Sequence, residues 1–342
     1  MTTVNEDLQN ERDQKRVMVS KREFEEGVNE DLLCHKGKYE ESIRKSVIIF
    51  GHIRQMQREG KIKITDYRHV LDCLLGSANV RDGSALALHY MMFMPAIMSL
   101  ASPEQQEYWL SRAWDCRIIG SYAQTELGHG TFVRGLETTA TYDESTKEFI
   151  LNSPTITSYK WWPGGRECHG IHWFMVQIRD EETHEPLPGV KLGDIGAKMG
   201  LQPVNNGFLG LEHVRIPRNN MLMKHAQVLE DGTYVKSSNQ KLLYAAMVFV
   251  RVLIVSEMVN YLSKAVTIAT RYSAVRRQTP VKDGGSEIQI LDYATQQHKL
   301  FINIATTYAF RIVSNRQWSI YYEVNAEVAS GNYNRLAEVG IV

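Results

Sequence analysis

The spacing of apolar residues changes its period twice along the chain, and this constrains the fold more than any other feature. Within residues 1 to 118, the apolar positions Ile43, Val47, Ile48, Ile53 and Met56 of the segment Tyr39 to Glu59 recur near the period of a helix. Ser102-Pro103-Glu104-Gln105 opens a further helix. Ser102 caps it, Pro103 takes the first helical position, and Gln105 completes a capping box ahead of Tyr108, Trp109 and Trp114. From about 119 to 232 glycines are dense and short apolar runs alternate with turn residues. Arg117 to Ala123, Glu148 to Leu151, Ile171 to Ile178 and Gly207 to Val214 read as strands, with a turn over Tyr142 to Thr146. After about 238 the helical period returns in Lys241 to Arg277, through Leu243, Met247, Val250, Ile254, Met258, Leu262, Val266 and Ala269. Ser286-Glu287-Ile288-Gln289 reads as the capping box of a last helix, with an apolar face through Leu291, Ala294, Leu300, Ile304, Tyr308 and Ile312. The order predicts an α+β chain with segregated blocks. These are an N-terminal helical domain over 1–118, a central β domain over 119–236 and the start of a helical bundle over 237–342.

With 342 residues the chain is long enough to bury a sizeable core. Lys plus Arg is 39 and Asp plus Glu is 39, so no general basic field for nucleic acid exists. The four cysteines, Cys34, Cys73, Cys116 and Cys168, form no CxxC and read as reduced thiols of an intracellular protein. The polar N-terminus has no signal-peptide apolar region. Leu242 to Leu262 is the most apolar stretch, interrupted by Arg251 and Glu257; it reads as a buried helix rather than a membrane span. The sequence ends Val-Gly-Ile-Val, without a Ser-Lys-Leu peroxisomal signal.

GxSxG, GxxxxGK and HExxH are absent, and Gly128-His129-Gly130 lacks the third glycine of GxGxxG, position 133 being valine. His169 and His172, three residues apart in a strand, point to opposite faces. With no further ligand nearby beyond Cys168, they read as ordinary strand histidines rather than metal ligands. Three segments carry more. The first, YAQTELGHGT at 122–131, combines hydroxyls at Thr125 and Thr131 with glycines that permit positive φ or close backbone approach to a ligand. A tight connection between strands is the competing reading. In the second, KWWPGG at 160–165, paired indoles before a sharp turn suit a flat aromatic ligand, or equally a hydrophobic strand end. In the third, RYSAVRRQ at 271–278, Arg276 and Arg277 complement the dipole at a helix end or pair with a phosphate.

Together these segments resemble the peroxisomal acyl-CoA oxidases of the acyl-CoA dehydrogenase superfamily. The resemblance runs from about His89-Tyr-Met-Met-Phe-Met-Pro95 to about Phe310. It includes RGLETTATYD, FILNSPT, RIPRNNMLMKHAQV and DGTYVK, and it is looser over the first hundred residues. It implies a helical domain, a β domain and a helical bundle. It also implies FAD as cofactor, fatty acyl-CoA as substrate, trans-2-enoyl-CoA as product and electron transfer to O2 giving hydrogen peroxide. By the same resemblance Thr125 and Gly164 contact the flavin ring. Arg276 reaches the FAD pyrophosphate of a neighbouring subunit, and Gln296 lies near the adenine. His129, Gly130 and Thr131 lie near the thioester and phosphopantetheine. The chemistry joins fixed donors on the thioester carbonyl, a carboxylate base for the α proton, and hydride transfer to flavin.

Two departures from the family pattern accompany these matches. Gly165 runs directly into Arg166-Glu167-Cys168, where the family has a Leu-Gly-Lys turn and another strand, so a strand and its turn are expected to be missing. The Gly-Gly-His-Gly-Tyr motif near the family's catalytic glutamate does not occur, and none of Glu323, Glu327 or Glu338 stands in a matching context. The expectation is therefore a shortened oxidase-like chain with no assignable catalytic base. It is peroxisomal by resemblance, and a homodimer or associated with full-length subunits. The rival readings are a non-catalytic isoform that only associates with such subunits, and an acyl-CoA dehydrogenase.

Overall fold

The computed structural model describes residues 29–60, 83–132, 135–161, 171–237, 245–335 and 338–340. The chain divides into two compact units, 1–246 and 247–342.

The first unit opens with helix α1, His35–Arg58. Its buried face is Ser42, Ser46, Ile49 and Ile53, whereas Ile43 and Val47, expected on the apolar face, are exposed. The serines explain the rotation. Ser42 Oγ accepts the N–H of Ala85 at 3.0 Å and Ser46 Oγ meets Ser84 Oγ at 2.9 Å, so the small hydroxyl face packs inward. A π-helical turn over His89–Phe93 runs into α2, Met94–Leu100. Helix α3, Pro103–Trp114, starts as the sequence predicts: Gln105 N–H donates to Ser102 Oγ at 3.3 Å and Ser102 N–H donates to Gln105 Oε1 at 3.0 Å.

The predicted strand Arg117 to Ala123 forms no ladder. Gly120 explains this. Its N–H donates to His89 Nδ1 at 3.0 Å, and a Cβ there would stand 2.2 Å from the Phe93 ring, so the segment is drawn onto the helices. Strands β1 (Thr139–Asp143) and β2 (Glu148–Asn152) form a hairpin around the expected turn, with Asp143 opposite Glu148. Strand β3 is Val190–Asp194. The run Gly207 to Val214 splits into β4, Gly207–Leu211, and the start of β5, Val214–Pro217, because His213 takes φ 52° in the turn between them. The sheets run β1-β2-β5 and β3-β4, all antiparallel, and Ser153 N–H, just past β2, donates to Leu211 O at 2.7 Å. Ile171 to Ile178 is not a continuous strand either. It makes a single bridge, Phe174 to Met221, with Met175 N–H on Asn220 O at 2.7 Å and Leu222 N–H on Trp173 O at 2.8 Å. Short pairs β6 (Gln227–Val228) and β7 (Tyr234–Val235) follow. Phe149, Leu151, Val190, Leu211, Ile216 and Met221 form the core between the strands. A second cluster, Ile97, Leu100, Met175 and Leu222, joins helix α2 to the β layer.

The second unit holds most of α4, Ala245–Val275, then strands β8 (Arg277–Pro280) and β9 (Glu287–Gln289), then α5, Ala294–Ala329. The predicted capping box at Ser286 is overturned. Glu287 to Gln289 pairs with β8, Gln278 opposite Ile288, and the helix starts eight residues after Ser286. α4 is long and apolar enough to cross a membrane by length and composition. It is buried along one stripe only, through Phe249, Val252, Leu253, Ser256 and Val259, while Ile254, Met258 and Ile268 are exposed. Among the described side chains, the buried helix expected over Leu242 to Leu262 is thus buried along that stripe and exposed at Ile254 and Met258. On α5, Leu300, Ser314, Gln317, Trp318 and Val324 are buried, whereas Tyr308 and Ile312 of the expected inner face are exposed. The hydroxyl of Ser256 organises this inner face, taking the Trp318 indole N–H and meeting Ser314 Oγ, each at 2.7 Å.

Candidate functional site

Two of the three informative segments meet in the first unit. Trp161 N–H donates to Thr125 O at 3.2 Å, and Leu127 N–H donates to Tyr159 O at 2.9 Å. The segment around Lys160 is itself seated on β4, exchanging both backbone bonds with Leu209 at 2.7 and 2.9 Å. Lys160 and Trp161, the described part of KWWPGG, thus run beside YAQTELGHGT, with Glu126 bridging to Lys160 and Lys160 to Leu209 of the sheet. Trp161 is 39% exposed and its ring lies within 9° of parallel to Phe208, with centroids 6.4 Å apart. Upstream, burial pushes the Tyr122 hydroxyl well above its ordinary range, and it donates to Gln124 Oε1 at 2.9 Å.

The two glycines of the loop differ. A Cβ at Gly128 would lie 2.8 Å from Thr157 Cβ, so that position is set by packing. A Cβ at Gly130 would meet nothing within 4 Å. Neither glycine uses a positive φ, so of the two reasons read from sequence only close approach remains. His129 is partly buried, and Gly130 and Thr131 are exposed.

The carboxylate of Glu126 lies under this loop, fully buried. Its Oε1 accepts from Lys160 Nζ at 3.1 Å and Thr138 N–H at 2.9 Å. Its Oε2 accepts from Glu137 N–H at 2.8 Å and from His129 Nδ1 at 3.1 Å, so the imidazole carries a proton on Nδ1. Burial alone would push the Glu126 carboxyl up. The Lys160 ammonium and the two backbone N–H groups outweigh it and hold the group below the usual carboxylate range. Burial draws Lys160 below its ordinary value, against the pull of Glu126.

The remaining predicted site residues are in the second unit or outside the described residues. In the second unit, the end of α4 meets the start of α5 through Gln296 Nε2, which donates to the buried Ser273 Oγ at 2.9 Å. Arg276, one residue past α4, is exposed and donates to Gln278 Oε1 at 2.9 Å. Gly164, with Trp162, Pro163 and Gly165, lies outside the described residues, as do Cys168 and His169. His172 contacts the Tyr234 hydroxyl at 3.2 Å. Among the described residues no group of three or more His, Cys, Asp or Glu is placed to hold a metal.

Two family models match the chain: acyl-coenzyme A oxidase N-terminal over residues 2–119 and the acyl-CoA oxidase C-alpha1 domain over 244–341. Acyl-coenzyme A oxidase 1 of Drosophila melanogaster is 49% identical over 324 residues, which are 90% of this chain and 48% of that protein. The chain belongs to the acyl-CoA oxidases. Peroxisomal acyl-coenzyme A oxidase 1 of Homo sapiens is 45% identical over 332 residues, 91% of this chain and 49% of that protein. Acyl-CoA oxidase-2 of Caenorhabditis elegans, solved with FAD, ascaroside-CoA and ATP, has a TM-score of 0.89 at 40% identity over 98% of this chain and 52% of that one. Arabidopsis thaliana acyl-CoA oxidase 1 has a TM-score of 0.83 at 40% identity, over 97% of this chain and 52% of that one. The chain spans about half the length of the curated acyl-CoA oxidases it matches. The family match reaches back to residue 2, further than the motifs read from sequence.

Sequence reasoning missed Glu126 and Lys160. The available signal was a carboxylate inside a glycine-rich segment and a lysine heading KWWPGG. They are 34 residues apart, and only the pairing of the two segments brings them together.

Proposed function

We propose that this chain carries the FAD- and acyl-CoA-binding surface of an acyl-CoA oxidase of peroxisomal fatty acid β-oxidation, the class that converts acyl-CoA to trans-2-enoyl-CoA. The observation that supports it best is the Trp161 N–H to Thr125 O bond, which sets the two ligand-type motifs against each other. The residues fit a flavin. A hydroxyl at Thr125 adjoins a half-exposed indole at Trp161, and Gly130 faces open space where a bound molecule needs backbone access. FAD, when bound, supplies the acceptor for hydride from the acyl chain and passes the electrons to O2, giving hydrogen peroxide.

In this reading Thr125 and Gly164 hold the flavin ring, while Arg276 and Gln296 serve the pyrophosphate and adenine ends, Arg276 toward a neighbouring subunit's FAD. His129, Gly130 and Thr131 take the thioester and phosphopantetheine. The chain's own donors orient the thioester carbonyl and stabilise the enolate-like charge that develops on it. No glutamate among the 342 residues is assigned as base. The helical, β and helical division at about 118 and 236 belongs to the same reading. The two family models, over 2–119 and 244–341, leave the strand-rich segment between them. The cellular setting is the peroxisome, as the names of the mammalian relatives have it.

The exposed apolar residues along α4 and α5 favour a second reading, in which the chain acts by associating with oxidase subunits rather than alone. One experiment addresses both. The purified chain is titrated with FAD by flavin fluorescence, then assayed for peroxide with a long-chain acyl-CoA. FAD binding that weakens in Thr125→Val, with little peroxide, is the expected result, because none of these 342 residues is assigned as base and a positioned base contributes about 10²–10⁴-fold in rate. A chain that does not bind FAD overturns the reading. Turnover like that of an intact oxidase shows that another carboxylate serves.

A further inference from the structure

We propose that Glu126 is a positioning residue of this site, whose buried carboxylate locks the 125–131 loop to the Lys160–Trp161 segment and fixes the His129 imidazole with Nδ1 inward and Nε2 toward the rim. This rests on the reading of the loop as a FAD and acyl-CoA surface. Glu126 stands between the two ligand-facing positions, one residue after Thr125 and three before His129.

The geometry is more than an ion pair needs. A carboxylate has about four acceptor sites. Lys160 Nζ, the N–H of Thr138, the N–H of Glu137 and His129 Nδ1 fill them, all between 2.8 and 3.1 Å. The Coulomb gain of a buried pair is largely offset by desolvation, so stability alone is a weak reason for it. What the arrangement supplies is direction. The four donors come from three points of the site: Lys160 from the Trp161 segment, Glu137 and Thr138 from the approach to β1, and His129 from the exposed loop. Exposure rises outward through the network. The Glu126 side chain is 0% exposed, Lys160 9%, His129 18% and Glu137 26%. His129 Nε2 faces the outer end, 3.8 Å from Glu137 Oε1. That second carboxylate is itself held, with Thr157 Oγ1 donating to its Oε2 at 3.1 Å. The imidazole therefore has one committed nitrogen and one presented nitrogen.

Glu126→Gln tests this while keeping the side chain's size. An amide offers one oxygen, and its NH₂ must face Lys160, a backbone N–H or His129, so at least one contact is lost. The full chain is labelled with ¹⁵N-histidine, and the His129 signals are identified by their loss in His129→Asn. The wild type is expected to show Nδ1 protonated, and Glu126→Gln a mixture of tautomers. FAD alone and then 3-thiaoctanoyl-CoA, which cannot be oxidised at its β sulfur, are titrated into wild type, Glu126→Gln, His129→Asn and the double variant. Glu126→Gln is expected to weaken thioester binding about tenfold, the scale of one hydrogen bond to a charged group. The loss is expected to shrink or vanish in the His129→Asn background, because it acts through the ring. A purely structural role would give additive losses. Wild type that binds neither ligand overturns the functional reading and this role with it. Wild type that binds both, with additive losses or with His129 protonated on Nε2 and not on Nδ1, overturns the role of Glu126 alone. The wild-type ring signals decide the matter even if Glu126→Gln does not fold.

Discussion

Gln105 holds the backbone of Met221. Its Nε2 donates to Met221 O at 2.6 Å and to Asn219 O at 2.7 Å, and its Oε1 takes the N–H of Met223 at 3.0 Å. The same Oε1 accepts from Ser102 N–H at 3.0 Å to close the capping box of α3. One amide thus caps the start of a helix and fastens it to the turn after β5, beside the segment that carries Trp173 and Met175. A local signal in the sequence turns out to have a tertiary partner.

Gln105→Ala is expected to destabilise the chain by more than a cap alone. Removing a capping interaction costs about 1 kcal/mol, and each lost hydrogen bond to a partly buried carbonyl adds about 1 kcal/mol. Gln105→Glu keeps the acceptor for Ser102 and Met223 and loses the donations to Asn219 and Met221, so it falls between. Thermal unfolding of the three proteins checks the order. If Gln105→Ala and Gln105→Glu melt together with wild type, the contacts to the β layer contribute nothing.

The particular elements show what was legible in the sequence. The Ser102 box and the Tyr142 to Thr146 turn are governed by neighbours three or four residues away, and both formed where predicted. The look-alike box at Ser286 did not, because Glu287 to Gln289 found a distant ladder partner in Arg277 to Pro280. By period alone Ile43 and Val47 belong to the apolar face. The face that packs instead carries Ser42 and Ser46, whose hydroxyls meet the 84–85 backbone and side chain. At the site, Thr125 and Trp161 were readable as motifs. Glu126 was not, because its meaning lies in four partners that the local sequence does not announce.

The two glycines of the loop are expected to respond oppositely. Gly128→Val pushes a side chain into Thr157, where a Cβ already stands 2.8 Å from Thr157 Cβ, and overpacking of this kind costs about 1–3 kcal/mol. Gly130→Val enters open space at an ordinary backbone conformation, so melting is expected to stay near wild type while affinity for a CoA thioester falls. Thermal unfolding set beside thioester titration separates the two. A Gly130→Val chain that binds as well as wild type shows that no ligand approaches there.

His89 gives the chain a pH dependence with a defined sign. Burial holds its imidazole below its ordinary value of 6.5, against the hydrogen bond to Ala113 O, which favours the charge; the Gly120 N–H donates to Nδ1 and so needs the neutral ring. The unfolded chain therefore binds a proton that the native state refuses, and stability rises with pH across that interval. The contribution is complete above the unfolded value and is lost as pH falls toward the depressed folded value. His225, drawn down by burial over Ser99 O, acts in the same direction. Melting temperature is expected to fall as pH drops through and below the ordinary histidine value of 6.5, and less steeply in His89→Gln. An unchanged slope in that variant removes His89 as a source.

The outer faces of the two long helices lead to the last expectation, association. Ile254, Met258 and Ile268 of α4 and Phe301, Ile302 and Ile312 of α5 are exposed, five of them by half or more and Ile254 by 47%. Leu300, next to Phe301 on α5, is buried. Apolar surface on this scale favours self-association, or pairing with an oxidase subunit that presents a complementary face. Sedimentation of the purified chain at micromolar concentrations is expected to show dimers or larger species, reduced when Phe301 and Ile302 are both changed to lysine. Arg276→Ala adds a second readout. Arg276 is exposed, and its side chain reaches Gln278, so a cation at this helix end contributes only about 0.3–1 kcal/mol to the fold. Its loss is expected to leave melting nearly unchanged while lowering the FAD retained by the associated form, since in the proposed reading its guanidinium serves a neighbour's pyrophosphate. A stable monomer across the concentration range, with FAD binding indifferent to Arg276→Ala, would remove both the association and the reach of this arginine to another subunit.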